Sequence, residues 1–223
     1  MQKLLLLSTA LFFSAAITLA QDTIPNPGFE AWTNMGGYLN PNGWGTINQL
    51  VPTVSRASAA GEVHSGTYAA KLASLAVGSN IAPGICVTGQ VNIATNGVDG
   101  GLAYNQRPVF MTGWFRYSPA PGDTGSVEVT LSKWNGTSRD IIGYTRKVFT
   151  DSVESYEQFM DSIEYSSVDV PDTAVIVMLS SAGANGSAGS TLFIDDLAFS
   201  FSHTGIEDQD RKSTRLNSSH IPL

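Results

Sequence analysis

Two kinds of residue in this 223-residue chain invite a chemical reading: a pair of aspartates inside an apolar run, and aromatic residues inside turns. The aspartates are Asp195 and Asp196, in the stretch Ser190-Thr191-Leu192-Phe193-Ile194-Asp195-Asp196-Leu197-Ala198-Phe199-Ser200-Phe201. That stretch is β-branched and aromatic, lacks proline and follows Gly189, all strand signals. Side chains alternate between faces along a strand. Phe193, Asp195, Leu197, Phe199 and Phe201 are therefore expected on one face, and Leu192, Ile194, Asp196, Ala198 and Ser200 on the other. Asp195 then stands in line with core aromatics, where a carboxylate is costly unless hydrogen-bonded, paired or bound to a metal. The turn aromatics are Tyr38 and Trp44, Tyr104 beside Asn105, Gln106 and Arg107, and Trp134 beside Asn135. Such groups suit sugars, whose C–H faces pack on rings while their hydroxyls take directed hydrogen bonds. An aromatic among turn residues can equally serve as a loop anchor. Trp44 and Trp134 are expected to be exposed and Trp32 to be core. Trp114 alternates with Arg116, opposite Met111, Phe115 and Tyr117, and fits either a concave sheet surface or the core.

Catalytic patterns are thin. A glycosidase needs two carboxylates about 5–9.5 Å apart. Asp140, Asp151, Glu154, Glu157, Asp161 and Glu164 could supply them, but an acidic surface carries such residues without purpose. No nucleophile elbow, zinc-protease motif, phosphate loop or dinucleotide fingerprint is present. His64 lies in a Ser-Gly block, and His203 and His220 lie near the end of the chain. The formal charge of −7 argues against nucleic-acid binding, which leans on Lys and Arg. Cys86 is the single cysteine, so no intrachain disulfide can form, and it reads as a small buried hydrophobe.

The elements that must position these groups are short strands. Strand-like runs occur at 51–57, 65–74, 84–93, 108–118, 125–134, 140–150, 156–166, 173–180 and 190–201. Turn residues separate them, as at 80–83, 96–101, 119–125, 135–136, 171–172 and 183–189. No segment shows a long period of 3.6. The pattern predicts an all-β, antiparallel β-sandwich over residues 22–201, and about ten strands on one chain suit a jelly roll. Asn135-Gly-Thr137 and Asn185-Gly-Ser187 match glycosylation sequons, although Asn-Gly is first a turn signal.

Residues 1–20 read as a secretory signal: Lys3 gives the basic start, residues 4–19 are almost wholly apolar, and Ala20 precedes polar Gln21-Asp22. The apolar run is short of the roughly 20 residues a membrane helix needs. The mature chain is expected to be secreted or at the cell surface, with no membrane span. Residues 202–210 are polar and acidic, and 211–223 basic and Ser-rich. Gly205-Ile206-Glu207-Asp208 resembles the linker before the C-terminal sorting domain of type IX secretion cargo in Bacteroidetes. Residues 211–220 resemble a translated sequencing-adaptor stretch, so a native sequence different from this one is expected after about residue 210.

Ordered blocks across most of 22–201 resemble the Bacteroidetes carbohydrate-metabolism domain called PCMD. They are Asn26-Pro27-Gly28-Phe29-Glu30-Ala31-Trp32, Pro41-Asn42-Gly43-Trp44, Thr88-Gly89, Arg107-Pro108 running to Gly113-Trp114-Phe115-Arg116-Tyr117, Ser180-Ser181, and Gly189 to Asp196. The resemblance implies a jelly-roll, galactose-binding-like fold and surface glycan handling. A wider resemblance reaches jelly-roll carbohydrate-binding modules, through Asn26 to Glu30, His64-Ser65-Gly66-Thr67-Tyr68-Ala69-Ala70-Lys71-Leu72, and Ile194-Asp195-Asp196. In many such modules a first-strand Glu and a last-strand Asp share a structural calcium with carbonyls of the Ser-Gly loop. Carried over, the ligands are Glu30 and Asp195 or Asp196, oxygen donors of the kind a hard cation takes. The alternative is that Asp195 accepts backbone amides and Asp196 is solvated.

The expectation is thus a noncatalytic carbohydrate-binding module with a glycan ligand, its sugar contacts drawn from Tyr38, Trp44, Tyr104, Arg107 and Trp134. The rivals are a glycan-active enzyme and a structural or adhesive surface domain.

Overall fold

The computed structural model describes residues 23–183 and 186–201. The expected signal at 1–20, the 202–210 linker, the 211–223 tail and Asn185 of the second sequon lie outside the described residues. Among the described residues, twelve strands form two antiparallel sheets: β1 (Gly45–Thr46), β2 (Val54–Ala57), β3 (Ala69–Ala73), β4 (Ile85–Val87), β5 (Leu102–Ala103), β6 (Phe110–Ser118), β7 (Gly125–Trp134), β8 (Arg139–Phe149), β9 (Val153–Ser162), β10 (Glu164–Tyr165), β11 (Thr173–Leu179) and β12 (Thr191–Ser200). One sheet has the order β10-β8-β7-β11-β4-β1, with β5 also on β11; the other runs β9-β6-β12-β3-β2. They pack face to face as a jelly-roll sandwich, and no helix occurs among the described residues. None is therefore long and apolar enough to cross a membrane. Three short hairpins flank the sheets: Trp32–Asn34 with Leu39–Pro41, Leu75–Val77 with Asn80–Ala82, and Gln90–Asn92 with Gly97–Asp99.

Period-2 alternation builds the core. Val127, Val129 and Leu131 of β7 and Ala174, Ile176 and Met178 of β11 point inward, against Met111, Phe115 and Tyr117 of β6 and Leu192 and Ile194 of β12. Phe115 stacks on Phe149 at 4.1 Å between centroids, with Phe159 edge-on to both. Cys86 is fully buried among them, and burial pushes its thiol well above the usual range. Such a thiol is inert rather than nucleophilic. Trp32 is half-buried at the margin of this core rather than inside it.

The closing strand departs from simple alternation. Thr112 pairs with Ala198 but Trp114 pairs with Asp195, so two residues of β12 oppose one of β6. Asp196 takes the left-handed conformation (φ 48°) at this β-bulge. Leu192, Ile194, Leu197 and Phe199 consequently all serve the main core, while Phe193 joins a separate cluster with Ala57 and Ala69. The single face of Phe193, Asp195, Leu197, Phe199 and Phe201 expected from the sequence is thus split. Asp195 is buried, yet it lies on the outer side of its sheet beneath the 61–68 loop. Gly113 permits the bulge, since a Cβ there would stand 2.8 Å from both Leu197 and Phe159.

Candidate functional site

The outward positions of the larger sheet form a groove of about 840 Å³. Its floor comes from the same alternation that builds the core. Every second residue of β7 faces out (Glu128, Thr130, Ser132), as do Val175, Val177 and Leu179 of β11 and Ile85 of β4. Arg139 and Ile141 of β8 close one end, and the Leu75–Ala82 and Gln90–Asp99 segments contribute to its walls. A bulge in β8 fixes that end: the register shifts between Leu131 and Ser132, so Ile142 and Gly143 both turn inward and Ile141 turns out. An apolar floor with a few directed polar groups is the usual make-up of a small-molecule site, and the volume falls within the common range.

The polar groups of the groove are held in place. Tyr144 Oη donates to Glu128 Oε2 at 3.1 Å, and Arg146 Nε lies 3.8 Å from the same oxygen. Burial, joined by the Glu128 charge, pushes the Tyr144 hydroxyl above its ordinary value. At the groove end, Asp172 accepts the Trp134 amide (2.8 Å), the Arg139 guanidinium (2.6 Å) and the Thr173 hydroxyl (2.8 Å). The Trp134 amide first, then Arg139 and Thr173, hold this carboxyl down to about 2. Trp134 itself is 51% exposed and is the cross-strand neighbour of Arg139.

The sequence-derived sugar contacts do not converge. Trp134 lies on the outer face next to Arg139. Trp44 is buried rather than exposed, because its indole N–H donates to the Pro25 carbonyl and its ring packs 5.3 Å from Phe29. Tyr104 is buried against Phe199. Arg107 bonds the Asp169 carbonyl and lies over the Tyr165 ring. Tyr38 is half-buried and lines a different cleft. Glu128, Thr130, Arg139 and Asp172 were missed. The strict alternation of 125–134 was the signal that could have found the first two.

Of the metal candidates, Asp195 and Asp196 stand together beside His64, while Glu30 holds the other end of the same loop. Asp195 Oδ2 accepts the His64 and Ser65 amides at 3.0 and 3.2 Å, and its Oδ1 accepts the Asp196 amide at 2.9 Å. Glu30 Oε1 accepts the Thr67 and Tyr68 amides at 2.8 and 3.2 Å. The two carboxylates thus grip the same loop on either side of Gly66. Asp196 is not merely solvated: it bonds His64 Nδ1 (2.7 Å) and the Ser65 hydroxyl (3.0 Å). Ligand atoms of His64, Asp195 and Asp196 lie within 4.8 Å of one another, and Glu30 stands outside that group. Trp114 lies on the outer side of its sheet, stacked on His64 at 3.9 Å.

No protein-family model matches this chain, and no curated protein matches it. Solved structures do. A candidate glycoside hydrolase of Bacteroides thetaiotaomicron VPI-5482 matches with TM-score 0.63 and 16% identity, over 79% of this chain and 70% of that one. At that identity the likeness is one of fold. Two carbohydrate-binding modules are more distant: a CBM28 specific for non-crystalline cellulose (TM-score 0.45, 9% identity, 79% of this chain, 93% of that one) and a family 16 module (TM-score 0.42, 12% identity, 77% and 91%).

Proposed function

We propose that this chain is a secreted, noncatalytic glycan-binding module of the PCMD type. The observation that carries the reading is the groove, whose apolar floor and fixed polar groups suit a sugar's alternating C–H faces and hydroxyls. The exposed Trp134 ring lies outside the groove lining but on the strand position paired with Arg139, which does line it, and offers a stacking face there. One solved structure that shares the fold is a candidate glycoside hydrolase, in keeping with a glycan ligand. Among the described residues Glu128 is the one carboxylate of the groove lining, and Asp172 at its end is occupied by the Trp134 amide, Arg139 and Thr173, whereas hydrolysis calls for two carboxylates flanking one bond. That favours binding over cleavage. The signal-like residues 1–20 support export, and the blocks quoted above support the PCMD assignment and a type IX route.

The test is electrophoresis through gels containing soluble polysaccharides. At least one should retard the protein, and Trp134→Ala or Arg139→Ala should abolish the retardation without changing the melting temperature by more than about 2–4 °C. Retardation by none, or retardation unaffected by both variants, overturns the reading; reducing sugar released by the purified protein replaces it with the enzyme. A structural calcium forms part of the proposal, with Asp195 and Asp196 as carboxylate ligands and Glu30 gripping the loop beside them. Its uptake stabilises the native state, so a chelator should lower the melting temperature and calcium restore it. An unchanged melting temperature removes the ion.

A further inference from the structure

A second cleft, of about 440 Å³, lies beyond the Gln90–Asp99 hairpin, and Val91 lines both it and the groove. Its character is opposite. Tyr38, Asn40, Asn42, Gln49 and Gln90 line it with polar ends rather than an apolar floor. Thr46 Oγ1 donates to Asn40 Oδ1 and Thr33 Oγ1 to Asn42 Oδ1, both at 2.7 Å. Both amide Nδ2 groups remain without a protein partner among the described residues, as do the Tyr38 hydroxyl and the ends of Gln49 and Gln90. The scaffold behind them is cross-linked by hydrogen bonds. Buried Asn48 donates to the Leu39 and Val54 carbonyls and accepts the Val54 amide, tying the 39–41 strand to β2. A cleft with unused, solvent-facing donors and acceptors on several sides matches a small, hydroxyl-rich group better than an apolar one.

We propose that the glycan bound here is branched, its main chain lying in the groove and a side-branch sugar crossing Val91 into the Tyr38–Gln49 cleft. This rests on the glycan-binding reading above. A linear chain fills the groove and leaves the cleft to water; a branch at the right residue fills both. The cleft then selects for branching, while the groove supplies the common affinity.

The experiment compares each of several plant polysaccharides (galactomannan, arabinoxylan, xyloglucan) with its enzymatically debranched form, by gel retardation and by calorimetry. One native form should bind about tenfold more tightly than its debranched counterpart, the worth of two modest net hydrogen bonds. The Asn42→Ala/Gln49→Ala double variant should bring the native form down to the debranched level and leave debranched binding unchanged. Trp134→Ala should weaken both forms. Equal affinity for native and debranched forms, or a double variant that leaves the difference intact, overturns the branch inference while the groove reading stands. Failure of every polysaccharide to bind overturns both.

Discussion

Gly66→Ala probes the loop that joins the opening segment to the closing strand. Gly66 sits at φ 69°, and a Cβ built there would stand 2.0 Å from Glu30 Oε1. Two costs follow. Left-handed backbone costs an alanine about 1–2 kcal/mol. Displacing Glu30 then removes the hydrogen bonds from the Thr67 and Tyr68 amides, which are solvent-exposed and together contribute about 1 kcal/mol. The sum is about 2–3 kcal/mol, or a fall in melting temperature of about 4–12 °C for a domain of this size. Thermal unfolding followed by circular dichroism reads it. The decisive comparison is a double-mutant cycle: once Glu30 is already alanine, Gly66→Ala should cost only the backbone part, about half to two-thirds as much. Equal losses in both backgrounds would show that Glu30 does not grip this loop.

Three other outcomes follow from the same structure. Burial, with the Asp196 charge, pushes the Asp195 carboxyl up to about 6 against the pull of the Ser65, His64 and Asp196 amides. A folded value above the unfolded one of about 3.9 means that the folded state holds the proton more tightly. This stabilisation is complete below about pH 4 and lost as pH rises through about 6. Between pH 7 and pH 5 the ion-free protein should therefore gain about 2–4 °C over Asp195→Asn; a bound calcium, which favours the ionised form, would reverse that sign. Asp172→Ala should weaken polysaccharide binding several-fold in calorimetry, by freeing Arg139 and the Trp134 backbone, while shifting the melting temperature little because the carboxylate is exposed; unchanged affinity would remove Asp172 as a positioning residue. Ile176→Ala, at a fully buried core position, should cost about 2–5 kcal/mol in urea unfolding; a loss below about 1 kcal/mol would contradict the packing described.

Much of the sandwich could be read from the sequence, because alternation and turn residues are local signals. The run at 125–134 coincides with β7, and those at 108–118, 140–150 and 173–180 differ from β6, β8 and β11 by a residue or two. The bulge at Asp195–Asp196 was not legible. Alternation presumes an unbroken ladder, and only the pairing with Thr112 and Trp114 shows the added residue. The turn aromatics misled for a related reason: Trp44 lies among turn residues, but its indole reaches back across 19 positions to Pro25. The groove is tertiary in origin. Its floor combines alternate residues of β7, β11 and β4, which are far apart in sequence, so no single stretch announces it. Glu30 and Asp195, paired from the sequence as ligands of one calcium, each engage the His64–Tyr68 loop through its backbone amides, on either side of Gly66.

Amide chemical-shift mapping with an oligosaccharide cut from the polysaccharide that retards the protein tests the central claim most directly. The account predicts the largest shifts at Glu128, Thr130, Arg139, Val175 and Val177, with smaller ones reaching Val91 and Gln90. Shifts confined to the opposite sheet, around His64, Trp114 and Tyr156, would contradict it.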